Sequence, residues 1–164
     1  MSRRLARALV VTASACLFAV AADAPTAALT PVGVCDILRD LTKMDGKELA
    51  VVGRYSFRSE GRWMSEQSCD APAPTPPELW LQEDARDAPK PPGQFEIDNL
   101  ALRKKLAEIG RHTSLGKFRF GTPDYDRWAV VYGRVLPRKG EEAKKAPASL
   151  LFRGSGVVIF LTMD

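Results

Sequence analysis

The stretch ELAVVGRYSF at residues 48–57 decides the predicted fold. One side of it would carry Leu49, Val51, Gly53, Tyr55 and Phe57, and the other side Ala50, Val52, Arg54 and Ser56. Side chains that alternate with a period of two are typical of a β-strand. The glycine in mid-strand predicts a bulge or a sharp bend, which lets a strand curl far enough to close a small barrel.

A second segment repeats this pattern further along the chain. Val131-Tyr132-Gly133-Arg134 matches Val51-Val52-Gly53-Arg54, and it predicts a strand over residues 128–136. Further strands are predicted at 63–69 and 79–81. The apolar run at 157–163, which follows residues 149–153 and a Gly154-Ser155-Gly156 break, predicts a buried final strand. Proline-rich stretches at 70–78 and 84–94, and the charged stretch at 139–148, are predicted to be loops.

Two helices are predicted. The first follows Thr30-Pro31, a capping residue and a first-turn proline, and its apolar side chains recur at helical spacing: Val34, Ile37, Leu38 and Leu41. The second begins at Asp98 or Asn99 and ends at Gly110, with Leu102, Leu106 and Ile109 on one face. This second helix falls between the third and the fourth predicted strand of the barrel.

The amino end has the order of an export signal. Arg3, Arg4 and Arg7 precede an uncharged run at residues 8–22, and small residues near its end predict cleavage near Ala22. The run of about 15 residues is shorter than the roughly 20 that cross a bilayer as a helix. An uncleaved anchor is one alternative, and a lipoprotein attached through Cys16 is another. Residues 23–31 are predicted to be a mobile leader, and residues 32–164 a single domain without a membrane span.

Charge and cysteines narrow the function classes. Loss of the three signal arginines lowers the formal net charge from +4 to about +1, which disfavours a nucleic-acid partner. In the oxidising compartment that export implies, Cys35 and Cys69 are expected to form a disulfide. Two free thiols or half of a metal site is the alternative. A metal is disfavoured because there is no CxxC pair and His112 is the only histidine.

Three strands, a helix and two strands follow the order of an OB-fold barrel, which binds oligonucleotides or oligosaccharides. The sequence resembles uncharacterised exported bacterial domains with such a barrel. The resemblance covers residues 32–163 and depends on Val34-Cys35-Asp36, on Gly46-Lys47 with the strand that follows, and on Cys69. It implies a mainly β, α+β fold with a small five-stranded barrel, and it carries over no functional residue.

Catalytic and metal-binding patterns are weak. His112 and Ser114 would need a carboxylate partner, no Gly-x-Ser-x-Gly elbow is present, and Ser155 lacks that spacing. Asp124 and Asp126 have a spacing that suits calcium, but turn acids before a strand are the simpler interpretation. The sequence therefore predicts no cofactor, no metal and no catalytic residue.

The leading hypothesis is a non-enzymatic binding or interaction module, secreted or periplasmic, with an unknown envelope or extracellular partner. A small enzyme with an unrecognised site and an OB-type oligonucleotide or oligosaccharide binder are the alternatives. Aromatic rings and guanidinium planes stack on bases and sugars. The predicted ligand-binding residues are Arg54, Arg134, Trp80, Phe118 and Tyr132. Core packing competes with ligand binding for the tryptophans.

Overall fold

The computed structural model describes residues 28–70, 77–115 and 125–162. Its strands are β1 (Val32–Gly33), β2 (Glu48–Arg58), β3 (Gly61–Ser65), β4 (Glu78–Glu83), β5 (Tyr125–Pro137), β6 (Ala148–Phe152) and β7 (Val158–Phe160). Its helices are α1 (Val34–Arg39), α2 (Leu41–Met44), α3 (Asn99–Ile109) and α4 (Gly140–Lys145), with a 3₁₀ turn at Ser155–Val157.

Five strands close into a barrel. β2 pairs with β3, β3 with β4, β4 with β6, β6 with β5, and β5 returns to β2. The β4–β6 pair is parallel and the other four barrel pairs are antiparallel. Two short strands lie outside the ring: β1 pairs with β2, and β7 pairs with β5. The predicted mainly β fold with a closed five-stranded barrel is confirmed, and α3 lies between the third and fourth barrel strands.

The long β2–β5 ribbon is buried on both faces. Val51 and Val52 point to opposite sides of β2, yet both are fully buried, and so are Val130 and Val131 on β5. One reason is that Phe95, in the loop before α3, packs edge-on against Tyr132 with ring centroids 6.0 Å apart. The predicted alternation therefore does not separate a core side from a solvent side on these strands.

Gly53 does not form the predicted bulge. β2 and β5 pair without interruption from Glu48 with Arg134 to Phe57 with Tyr125. The glycine instead permits close packing, since a Cβ there would lie 3.1 Å from Val34 Cγ2 and 3.3 Å from the Ser65 carbonyl oxygen. Gly133 has the same role, because a Cβ there would lie 2.6 Å from the Leu151 carbonyl oxygen.

The prediction of two helices was wrong, because the described residues contain four α-helices. α1 begins after Gly33 rather than after Thr30-Pro31, since Val32 and Gly33 pair with β2. α4 lies in the predicted charged loop, where acids in its first turn and lysines in its last turn suit the helix dipole. α3 begins where predicted, and the Asp98 carboxylate accepts hydrogen bonds from Leu100 N and Ala101 N.

Two predicted strands are shorter in the structure. β3 ends at Ser65 rather than at Cys69. Glu66 N still donates to the Pro77 carbonyl oxygen, but Gln67 and Ser68 bond the segment after α3. The predicted buried final strand is only Val158–Phe160, and it is partly exposed because it pairs with β5 alone. Phe160 is 37% exposed. The fifth strand of the barrel is β6, which was not predicted as a separate strand.

Cys35 and Cys69 form the predicted disulfide, with an S–S distance of 2.03 Å. It joins α1 to the segment after β3, and it indicates an oxidising environment.

Several predictions fall outside the described residues. These are the signal at 1–22 with Cys16, most of the 23–31 leader, the prolines at 72–76, Phe118, Asp124 and Met163. Among the described helices, none combines the length and the apolar composition that a membrane crossing requires.

Candidate ligand-binding site

The structure describes four of the five predicted ligand-binding residues, and among these Arg134 and Tyr132 share a partner. Arg134 and Tyr132 share the carboxylate of Glu48, to which Arg134 Nη2 donates at 2.7 Å and the Tyr132 hydroxyl at 3.4 Å. Tyr132 is only 4% exposed. Burial and the negative charge of Glu48 raise the pKa of Tyr132.

Arg54 lies on the same face of the sheet as Arg134, but far from it. In the β2–β5 ladder Arg54 pairs with Trp128 and Arg134 pairs with Glu48. Six residue steps separate the two arginines along the strands, or about 20 Å. Arg54 is half-buried, its Nε has no hydrogen-bond partner among the described residues, and Phe118 lies outside those residues. The two arginines therefore do not make one binding site.

Trp80 is the predicted residue that lines a cleft. This tryptophan cleft has a volume of about 360 Å³ and is formed by Glu60, Trp80, Arg138, Glu141, Glu142 and Lys145. Glu60 belongs to the β2–β3 turn, Trp80 to β4, and the other four to the β5–β6 connection with α4. Two loops thus meet over one strand of the barrel. A cleft of this size accepts one or two small rings.

Strand register and a glycine position Trp80. Trp63 of β3 is its direct partner in the ladder, and the two indoles stack with centroids 6.2 Å apart and planes inclined by 20°. Gly61 has φ +144°, and a Cβ there would lie 2.3 Å from Trp80 Cη2. A larger residue at position 61 would therefore displace the indole. Both Trp63 and Trp80 are half-buried, whereas Trp128 is fully buried.

The polar groups of the tryptophan cleft have mixed charge. The Arg138 guanidinium lies 5.4 Å from the centroid of the Trp80 ring, and its Nη1 has no hydrogen-bond partner among the described residues. Arg138 faces Glu142 at 3.6 Å, and Lys144 donates to Glu141 at 2.5 Å. The Glu141 and Glu142 side chains are 86% and 73% exposed. The lining residues carry three carboxylates and two cations, and Lys144 of the same helix pairs with Glu141, so neither charge predominates at the cleft.

A second cleft contains the only histidine. This histidine cleft, of about 200 Å³, is lined by Cys35, Asp36, Glu66, Lys105, Glu108 and His112, among others. His112 Nε2 lies 2.7 Å from Glu66 Oε2, and Glu66 Oε1 accepts from Cys35 N at 3.0 Å. The Glu66 side chain is 1% exposed. Sequence analysis missed Glu66, because 46 residues separate it from His112 and no motif joins them.

Charged neighbours of the histidine cleft pair with one another. Lys105 Nζ lies 2.8 Å from Asp36 Oδ2 and 2.8 Å from Glu108 Oε2. Burial by itself raises the pKa of Asp36, but hydrogen bonds from Lys105 and Gly33 outweigh it and lower the pKa. These ion pairs hold the wall of the cleft, and Glu66 is the carboxylate that contacts His112.

Two further groupings weighed from the sequence involve Ser114 and Asp126, and Asp124 lies outside the described residues. Ser114 bonds Gln67 through its backbone N–H, and within residues 28–70, 77–115 and 125–162 no hydroxyl bonds the His112 ring. The Asp126 carboxylate binds Arg58 through both oxygens at 2.8 Å and accepts from Ser56 Oγ at 2.6 Å. Burial by itself raises the pKa of Asp126. The hydrogen bonds from Ser56 and Arg58 outweigh burial, so the pKa of this carboxyl is lowered.

The chain thus forms a disulfide-bonded, closed five-stranded β-barrel with a cleft over the half-buried Trp80. Comparison of the sequence with protein-family models, with curated proteins and with solved structures gives no match.

Proposed function

We propose that this chain is an exported, non-enzymatic binding module, and that the tryptophan cleft binds a neutral oligosaccharide. One observation carries the proposal: Trp80, stacked against Trp63, is half-buried and lines a cleft between two loops. A sugar ring would stack on this indole in place of the Arg138 guanidinium, which lies over the ring and would turn to the sugar hydroxyls.

The topology supports a ligand at this position. β3 and β4 are the second and third strands of the barrel, and the β2–β3 turn and the β5–β6 connection border the tryptophan cleft. OB-fold barrels bind their ligands on the face of their second and third strands, between the first–second and fourth–fifth loops. The order of the strands and the place of α3 are those of an OB-fold, which we infer for this chain.

The charges of the tryptophan cleft favour a sugar over a nucleic acid. The cleft lacks the excess of cations that attracts the phosphates of an oligonucleotide, because the carboxylates of Glu60, Glu141 and Glu142 offset Arg138 and the lysines beside them. The same carboxylates accept hydrogen bonds from sugar hydroxyls, and Arg138 and Lys145 donate to them. A neutral chain of hexoses uses both kinds of group without bringing a charge of its own.

Export is supported by the disulfide, since such bonds persist in oxidising compartments. It is supported also by the sequence of residues 1–22, which has the order of a signal peptide. A secreted or periplasmic module would meet sugars of the cell envelope or the surroundings.

Replacement of Trp80 by alanine is the direct test. We expect Trp80→Ala to weaken binding of the best ligand, found in a panel of neutral glucose and N-acetylglucosamine oligomers, by about 5- to 150-fold. This corresponds to the loss of one stacking contact of about 1–3 kcal/mol. Isothermal titration calorimetry at several salt concentrations measures it, and the affinity should change little with salt.

Phe160→Ala is the matched control, because Phe160 is an exposed aromatic residue on β7, outside the tryptophan cleft. Its affinity should equal that of the unchanged protein. Equal affinity of Trp80→Ala, or binding of single-stranded oligonucleotides that falls steeply with salt, would count against the proposal.

The Glu66–His112 pair carries a second candidate, hydrolysis in which His112 acts as a general base on a water molecule. It rests on the 2.7 Å contact between the ring and a buried carboxylate, which orients the imidazole. On this candidate, turnover of an ester, peptide or glycoside panel is abolished in His112→Ala and retained in Trp80→Ala. A purified protein that hydrolyses none of the panel refutes it.

A further inference from the structure

The disulfide lies against the Glu66–His112 pair. Cys35 Sγ, a carboxylate oxygen of Glu66 and a ring nitrogen of His112 all lie within 4.8 Å of one another. Cys69 Sγ is bonded to Cys35 Sγ, so reduction would free a second thiol beside this group of three. The four residues come from three segments that are distant in sequence, around positions 35, 66–69 and 112.

These four groups are the ligand types of a tetrahedral zinc site. The disulfide prevents zinc binding at this place. A cysteine sulfur binds zinc as a thiolate, and two bonded sulfurs lie closer together than two ligands of one ion. Ligand atoms on a tetrahedral zinc are about 3–4 Å apart, which follows from bond lengths of about 2.0–2.3 Å. After reduction the two sulfurs need to separate, and the ligand atoms of Cys35, Glu66 and His112, now within 4.8 Å of one another, need to adjust to these distances.

We propose that reduction of the Cys35–Cys69 disulfide creates a binding site for one zinc-like divalent ion, held by Cys35, Cys69, Glu66 and His112. A dithiol reductant supplies two electrons and two protons. The protein disulfide becomes two thiols and the reductant becomes a disulfide. When the ion binds, both thiol protons pass to solvent, and two sulfur–metal bonds form.

Three hydrogen bonds, in addition to the disulfide, hold the site together. Gln67 N donates to Thr113 Oγ1 at 3.0 Å, and Ser68 Oγ donates to the carbonyl oxygen of His112 at 3.2 Å. Cys35 N donates to Glu66 Oε1 at 3.0 Å, which fixes the carboxylate against α1. These three contacts join the segments that carry the four ligands. The arrangement is therefore expected to survive reduction.

The surroundings also favour an ion at this point. Cys35 is 5% exposed, the Glu66 side chain is 1% exposed and the His112 side chain is 19% exposed. The ligands are thus largely shielded from water, yet the histidine cleft provides a path to the ion. Lys105, which also lines this cleft, is already paired with Asp36 and Glu108.

Cobalt titration tests the proposal. The full chain is reduced, freed of reductant under argon and titrated with Co²⁺, with an oxidised sample in parallel. We expect the reduced chain to bind one Co²⁺, with the intense visible bands of tetrahedral cobalt and a sulfur-to-cobalt charge-transfer band. Zn²⁺ should displace it, and the oxidised chain should show neither band.

Variants separate the built site from thiols alone. His112→Ala and Glu66→Gln should each weaken Co²⁺ binding by about tenfold or more, because each removes a ligand. Glu108→Gln, which lines the same cleft but is outside the ligand set, should bind like the unchanged chain. Cys35→Ser/Cys69→Ser retains Cys16 and should show no charge-transfer band.

Three results would overturn the proposal. The first is the absence of Co²⁺ binding by the reduced chain. The second is equal affinity in His112→Ala and the unchanged chain, which would mean that the two thiols bind without the rest of the site. The third is a reduced chain that has lost its far-ultraviolet circular dichroism and does not regain it with Co²⁺.

Discussion

Trp128→Ala is expected to lower the free energy of unfolding by about 3–5 kcal/mol. Trp128 is fully buried, and it is first among the largest fully buried side chains of the described residues. It lies on β5 opposite Arg54, within the ladder that closes the barrel. The substitution leaves a large cavity between layers that cannot collapse onto it. Urea denaturation followed by circular dichroism measures the loss.

Trp128→Phe makes a second point on the same residue. The Trp128 Nε1 has no hydrogen-bond partner among the described residues, so phenylalanine removes volume without breaking a bond. We expect a smaller loss than that of the alanine variant. A loss below about 1 kcal/mol for Trp128→Ala would contradict the core described above.

Removal of the disulfide is expected to have the second largest effect. Cys35→Ser/Cys69→Ser should lower the free energy of unfolding by about 3–4 kcal/mol, since the bond closes a loop with a sequence separation of 34 residues. The bond restricts the unfolded chain, so the double variant should retain the fold while unfolding at lower urea concentration. Denaturation with and without reductant measures the effect.

The reductant supplies the control. It should destabilise the unchanged protein by a similar amount and leave the double variant unaffected, provided that metal ions are chelated. An unchanged protein whose stability is insensitive to reductant would show that the two sulfurs are not joined.

The strands that form the barrel were the most predictable feature. Both Val-x-Gly-Arg segments lie at the centres of β2 and β5, and these two strands pair directly, with Gly53 opposite Ala129. What the pattern did not reveal is that Val52 and Val130 are covered from the second side. Burial on that side depends on where Phe95 and the start of α3 pack, which is a tertiary property.

The candidate sites were less predictable, for a physical reason. Trp63 and Trp80 meet because the β3–β4 register aligns them, and register is not encoded by either residue alone. Glu66 and His112 meet because β3 ends early and α3 ends beside it. The charged stretch 139–148 was predicted to be a loop, although acids at the start of α4 and lysines at its end suit a short helix equally well.

The most direct test of the oligosaccharide proposal is a titration followed by the indole N–H signals of ¹⁵N-labelled protein. The chain has three tryptophans, so each signal can be assigned by one substitution. We predict that the neutral oligomer shifts the Trp80 signal most and the stacked Trp63 signal next, while the buried Trp128 signal stays in place. A ligand that shifts none of them, or Trp128 alone, would contradict binding in the tryptophan cleft.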